Sequence, residues 1–202
     1  MERFPANTLV IATHNQGKLE EIADLLRPHG IIFRSAAELG LPEPEETEDS
    51  FAGNARIKAH AAARASGFAA LADDSGLCVD SLGGAPGVYT ADWAQTLQGR
   101  DFDMAMRRVW REMDAVGAPL PRRAQFYCTL VLAWPDGRDR VFEGVLPGQL
   151  VWPIRGTEGH GFDPMFQPDG SMLTCGEMDR WEKNRVSHRG KAFAKFVEEC
   201  FT

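Results

Sequence analysis

The sequence predicts an α/β fold, and three observations predict it. Leu9-Val10-Ile11-Ala12 is a short apolar run suited to a buried strand, and from Leu19 the apolar residues Leu19, Ile22, Ala23, Leu25 and Leu26 recur at helical spacing. An Ala-rich helical stretch over residues 50–65 leads into a second apolar run that ends in Asp73-Asp74-Ser75-Gly76. Residues 124–134 and 140–144 flank the turn Pro135-Asp136-Gly137 and read as paired strands.

Taken in order, the first strand and helix are joined by Thr13-His14-Asn15-Gln16-Gly17-Lys18. A strand feeding a helix through a polar, Gly-containing turn exposes backbone N–H groups and a positive dipole end, to which Lys18 adds a full charge. This is a phosphate-binding design, although it is not a Walker P-loop, since G-x-x-x-x-G-K-[ST] is absent. Residues 41–49 form an acidic loop holding Glu43, Glu45, Glu46, Glu48 and Asp49. Most of these acids are expected in solvent, with one or two facing a metal. In the helix that follows, Phe51, Ala55, Ala59 and Ala62 share one side, while Asn54 and Lys58, four apart, share a face that can turn towards the same cleft.

The run Leu71-Ala72-Asp73-Asp74-Ser75-Gly76-Leu77 admits two readings. One is an ordinary turn, with Asp74 or Ser75 bonding nearby amides and Gly76 at positive φ. The other is a strand end that aims acids and N–H groups at a ligand. Beyond it, Gly83-Gly84-Ala85-Pro86-Gly87 predicts a tight loop, and residues 101–115 an amphipathic helix through Phe102, Ala105, Val109, Trp110 and Met113. Leu150-Val151-Trp152 is a candidate third strand of the second half, and residues 156–168 read as irregular. The last helix spans residues 187–201, with Phe193, Phe196, Val197 and Cys200 at i, i+3, i+4 and i+7.

At 202 residues, one domain over 1–202 with two lobes is expected. No apolar stretch is long enough to span a bilayer and no signal-type segment opens the chain, so a cytoplasmic location is expected. Cys78, Cys128, Cys175 and Cys200 form no C-x-x-C pair, which argues against a zinc or thioredoxin-type site and for reduced, mostly buried thiols. The formal net charge of -7 supplies no general field for nucleic acid, so any bound phosphate must meet local cations or a metal.

These stretches, in this order, resemble the inosine triphosphate pyrophosphatase family, enzymes that hydrolyse non-standard purine nucleoside triphosphates. The resemblance rests on Thr13-His14-Asn15 with Lys18, Glu45-Glu46-Thr47 ahead of Phe51 and Asn54, Asp73-Asp74-Ser75-Gly76-Leu77, Gly84-Ala85-Pro86-Gly87, Gly161-Phe162-Asp163-Pro164, and Ser187-His188-Arg189. It implies a two-lobed mixed β-sheet flanked by helices, with a central substrate cleft. It implies hydrolysis of ITP, dITP and XTP to the monophosphate and pyrophosphate, by a homodimer that uses Mg²⁺.

Carried over by residue, the resemblance puts Thr13, His14, Asn15, Gln16, Gly17 and Lys18 on the triphosphate, and makes Glu46 and Asp74 the metal ligands. Asp74 is also the base for the attacking water, with Ser75 on the substrate. His160, Gly161, Phe162, Asp163, Lys183, His188 and Arg189 then hold the base and neighbouring phosphates, with His188 and Arg189 donating to the 6-oxo group. One departure stands out: the position before Gly161 is commonly Phe in that family and is His160 here, which brings a titratable group to the base. Two other readings stand beside this one, a related pyrophosphatase for modified pyrimidine triphosphates and a module that holds a triphosphate without cutting it.

Overall fold

The computed structural model describes residues 8–201. A six-stranded mixed sheet runs in the order β2-β1-β3-β6-β7-β8, flanked by helices. β1 (Leu9–Ile11) pairs parallel with β2 (Phe33–Ser35) and with β3 (Ala69–Val79). All three β1 residues are fully buried, as expected of a parallel strand covered on both faces. β6 (Arg123–Ala133) and β7 (Asp139–Leu150) follow, and β7 pairs antiparallel with β8 (Phe166–Pro168).

The chain forms two compact units. The first comprises residues up to Asp74, 128–144, and those from Arg189 on. Its strands alternate between two apolar layers. Leu9, Ile11 and Leu71 pack with Ile22 and Leu26 of α1 (Gln16–Leu26) and with Phe193 and Phe196 of α5 (His188–Phe201). Val10, Ala12, Ala70 and Ala72 face the other way, against Ala55, Ala59, Ala62 and Ala63 of α2 (Phe51–Ser66). The small side chains of α2 let it lie close to the sheet. Ser50 caps it by accepting from the Gly53 N–H at 3.1 Å, and Gly67 ends it at φ 73°.

The second unit comprises residues 75–127 and 145–188. Leu77, Val79, Phe126, Leu146, Leu150 and Phe166 pack there against Ala105, Met106, Val109 and Met113 of α3 (Phe102–Ala115). A two-stranded hairpin, β4 (Gln95–Thr96) with β5 (Gly99–Arg100), precedes α3, and α4 (Arg180–Val186) ends the unit.

Three expectations need correction. β3 does not end at Asp-Asp-Ser-Gly but runs on through Val79, because Leu77 and Val79 continue the buried alternation; the turn reading of that stretch fails with it. Leu150 is the last residue of the twelve-residue β7 rather than the start of a third strand. α1 begins at Gln16, so Gln16, Gly17 and Lys18 form its first turn. The last helix stands where expected, as α5, and a short helix that the sequence does not announce, α4 (Arg180–Val186), precedes it, with Ser187 between them in extended conformation (φ -66°, ψ 159°). The four cysteines are free thiols, and burial pushes Cys78 up to about 11 and Cys175 up to about 12.

Candidate active site

Successive side chains on a strand point to opposite faces, so two adjacent acids inside β3 serve two different clusters. Asp73 shares the parity of Leu71 and faces the α1 and α5 layer, whereas Asp74 shares that of Ala70 and Ala72 and faces α2. Both are buried, at 2% and 5% exposure.

On the first face, Asp73 Oδ2 lies 3.1 Å from Lys18 Nζ and accepts from Arg189 Nη2 at 3.3 Å. Arg189 Nη1 donates to Glu21 of α1. Burial pushes the Arg189 guanidinium down to about 10, which leaves it charged at neutral pH. Asn15 caps α1, its side-chain oxygen accepting from the Lys18 N–H at 3.1 Å, so backbone and side chain of Lys18 are both anchored. Thr13 Oγ1 accepts from the Asn15 N–H at 3.2 Å, and His14 Nε2 lies 2.9 Å from the Leu41 carbonyl oxygen. The side chain of Gln16 instead donates to Glu20 in solvent.

On the second face, Lys58 of α2 reaches Glu46 Oε1 at 2.9 Å and Asp74 Oδ1 at 3.5 Å. Burial pulls the Lys58 ammonium down, but the carboxylates of Asp74, Asp73 and Glu46 outweigh it and hold the group above its ordinary value. Asp74 is pushed up to about 6, first by burial, against the opposing pull of Lys58 and Lys18. Its second oxygen, Oδ2, is buried with no hydrogen-bond partner among the described residues. Asn54, the other residue on the Lys58 face, accepts from the Glu48 N–H at 2.9 Å and so ties the acidic loop to α2. Gly53 is needed beneath that loop, since a Cβ there would stand 2.6 Å from Glu48 Cβ.

Among the described residues no three His, Cys, Asp or Glu side chains gather into a group able to hold a metal alone. The donors nevertheless fit Mg²⁺, which binds through one or two carboxylates and completes its shell with water and substrate phosphates. Glu46 and Asp74 supply two such carboxylates, and the unpartnered Asp74 Oδ2 is the atom left to take a cation.

In the second unit, Asp163 Oδ2 accepts from Lys183 Nζ at 2.6 Å and from the His160 N–H at 2.6 Å. Gly159 and Gly161, at φ 77° and 67°, fold the loop over this ion pair, and a Cβ on Gly159 would stand 2.1 Å from Asp163 Oδ2. The His160 side chain is left exposed on that pinned backbone. Phe162 is a core residue, its buried ring edge-on to Phe102 at 5.8 Å. His188 is buried and stacks on Phe126 at 4.9 Å.

The structure therefore gathers Lys18 and Arg189 on Asp73, Glu46 with Asp74, and His160, Asp163 and Lys183 together. The Arg189 guanidinium is engaged by two carboxylates, Glu21 and Asp73. Glu21 is not among the residues that the sequence singles out, whereas Lys58 shares with Asn54 the face expected to turn towards a cleft. For Lys58 the available signal was a single cation on an otherwise Ala-lined face.

The Ham1 family description matches residues 9–199. A dITP/XTP pyrophosphatase of Ruegeria pomeroyi is 67% identical over 198 residues, covering 98% of this chain and 97% of its own length. One from Rhodospirillum centenum is 55% identical over 199 residues, covering 98% and 97%. Among solved structures, a HAM1 protein from Coxiella burnetii superposes with a TM-score of 0.87 at 34% identity, over 95% of this chain and 97% of that one. The Staphylococcus aureus Ham1 protein gives 0.82 at 30% identity, over 96% and 99%. With a family match over nearly its whole length, close relatives by sequence and the same fold in solved structures, the chain belongs to the Ham1 family.

Proposed function

We propose that the protein hydrolyses non-canonical purine nucleoside triphosphates, ITP, dITP and XTP, to the monophosphate and pyrophosphate. The observation that carries this is the division of labour across β3: one acid, Asp73, braced between the phosphate-turn lysine and Arg189, and the other, Asp74, raised to about 6 with one oxygen unpartnered. The names of the relatives, dITP/XTP pyrophosphatase, support the same substrates.

Attack of water on a phosphorus shielded by anionic oxygens needs a base and local positive charge. Asp74 is the base: its raised pKa places it near neutrality, where a carboxylate is both available and basic enough to take the proton. Mg²⁺, held by Glu46 and Asp74, would neutralise phosphate charge and acidify the water. Lys58 balances the two acids, so that they remain together in a buried place. Lys18 and the N–H groups of the first turn of α1 hold phosphate oxygens, and Asp73 fixes the ammonium of Lys18. Ser75 is assigned to the substrate, and His160, Gly161, Asp163, Lys183 and His188 to the base. The homodimer and the cytoplasmic location belong to the same proposal; no helix among the described residues is long and apolar enough to cross a membrane.

The test is pyrophosphate release from ITP, XTP, GTP, ATP and a set of modified pyrimidine triphosphates, with Mg²⁺ and after chelation. Preference for ITP and XTP, lost on chelation and restored by Mg²⁺, is expected. A preference for the pyrimidines would move the protein to the rival substrate class, and binding without release would make it a nucleotide holder. Lys18→Ala should weaken triphosphate binding far more than nucleoside binding, because the ammonium offers charge to phosphate and nothing to a base. Calorimetric titration with ITP and inosine reads this, and equal losses for both would contradict the role.

A further inference from the structure

Glu46, one of the two carboxylates assigned to Mg²⁺, sits on a stretch with little to hold it. Residues 42–49 make no backbone–backbone hydrogen bond among the described residues, and Pro42 and Pro44 have no N–H to offer. Glu46 is exposed, so its ion pair with Lys58 stands partly in water and by itself fixes the loop weakly. At the far end of the loop, the Glu48 N–H donates to the Asn54 side chain of α2 at 2.9 Å. At the near end stands Leu41, whose side chain packs against the layer of Val10 and Ala12 and whose N–H donates to the Ala36 carbonyl at 2.9 Å. The carbonyl of Leu41 is the last group before the loop departs, and His14 Nε2 lies 2.9 Å from it. A carbonyl oxygen only accepts, so Nε2 carries the proton and donates.

His14 is itself well anchored. It stands between Ala12, whose N–H donates to the Leu71 carbonyl of β3 at 2.8 Å, and Asn15, which caps α1. The imidazole thus links the strand that carries Asp74 to the loop that carries Glu46, across 27 residues of chain. We infer that His14 is a positioning residue for the reaction: through the Leu41 carbonyl it sets the direction in which the loop leaves, and so holds Glu46 within reach of a cation shared with Asp74. The inference rests on the proposed function, in which these two carboxylates hold the metal. A ligand held in place before the cation arrives loses less freedom on binding it.

Metal-free wild type, His14→Phe and His14→Gln are compared. Phenylalanine keeps a ring and removes the N–H, whereas glutamine returns an N–H at similar reach. Order parameters from nuclear magnetic relaxation of the backbone amides should fall over residues 43–49 in His14→Phe and recover, at least in part, in His14→Gln. The Mg²⁺ concentration giving half-maximal ITP hydrolysis should rise about two- to tenfold in His14→Phe, the size expected for one hydrogen bond, with a smaller change in KM for ITP at saturating Mg²⁺. Order parameters that are the same in wild type and His14→Phe overturn the inference. So does a rise in KM for ITP with the metal requirement unchanged, which would put the imidazole on the phosphates instead. A wild-type enzyme that hydrolyses neither ITP nor XTP overturns the proposed function, and the order parameters then still decide whether His14 holds the loop.

Discussion

Asp74→Asn is expected to abolish hydrolysis and to leave the fold intact. The amide copies the shape of the carboxylate but is a poor base and a poor metal ligand, and loss of general base catalysis alone typically costs about 10²- to 10⁴-fold. Stability should move the other way. In the folded chain the Asp74 carboxyl is raised from 3.8 to about 6, chiefly by burial. Between those values the unfolded chain has already released the proton that the folded chain retains. Stability therefore falls as pH rises through this window, by at most about 3 kcal/mol. Asparagine has no such penalty, so in chelator at pH 8 the variant should melt no lower than wild type, while at pH 4 the two should differ less. The wild-type kcat/KM should correspondingly fall on the acidic side, as the base form is lost, and a bound cation, which favours the carboxylate, moves that limb to lower pH. Turnover of the variant within a few-fold of wild type would remove Asp74 from the role of base.

Much of the first unit is legible in the sequence, and the reason is period. Leu9-Val10-Ile11 and the Phe193, Phe196 and Cys200 stripe of α5 carry their burial in local spacing, and both fold as read. β3 was read short because Asp-Asp-Ser-Gly has the composition of a turn; tertiary pairing and the burial of Leu77 and Val79 override that composition. α4 was missed for the opposite reason, having no apolar stripe to announce it.

The site is legible in its residue types and not in its pairings. The acids of β3 and Lys18 stand out as chemistry in any reading, yet nothing local says that Asp73 and Asp74 face different clusters, a consequence of the strand continuing through both. Glu21 looks like a solvated helix acid; its partner lies 168 residues away. Contacts of that range leave no trace in a single sequence.

That long contact sets the largest stability effect expected in this protein. Arg189, Glu21 and Asp73 are buried at 8%, 7% and 2% exposure, and one guanidinium serves both carboxylates. Arg189→Met keeps most of the apolar stem but takes the guanidinium away from two buried anions, Glu21 and Asp73, of which Asp73 keeps Lys18. Breaking a buried ion pair from one side typically costs about 3 to 5 kcal/mol, because desolvated charge is left uncompensated. The loss should be deepest at neutral pH and smaller in acid, where protonation can neutralise the stranded carboxylates. Adding Glu21→Gln to Arg189→Met should recover part of it, so the two changes together cost less than their sum. Urea unfolding of the single and double variants at pH 5 and pH 7.5 measures each term. In the folded fraction, similar losses of kcat/KM for ITP and ATP would show a guanidinium that acts through Asp73 on the setting of Lys18. A loss confined to ITP would return Arg189 to the base, where the family resemblance expects it, and would make its hold on Glu21 and Asp73 the scaffold from which it reaches the 6-oxo group.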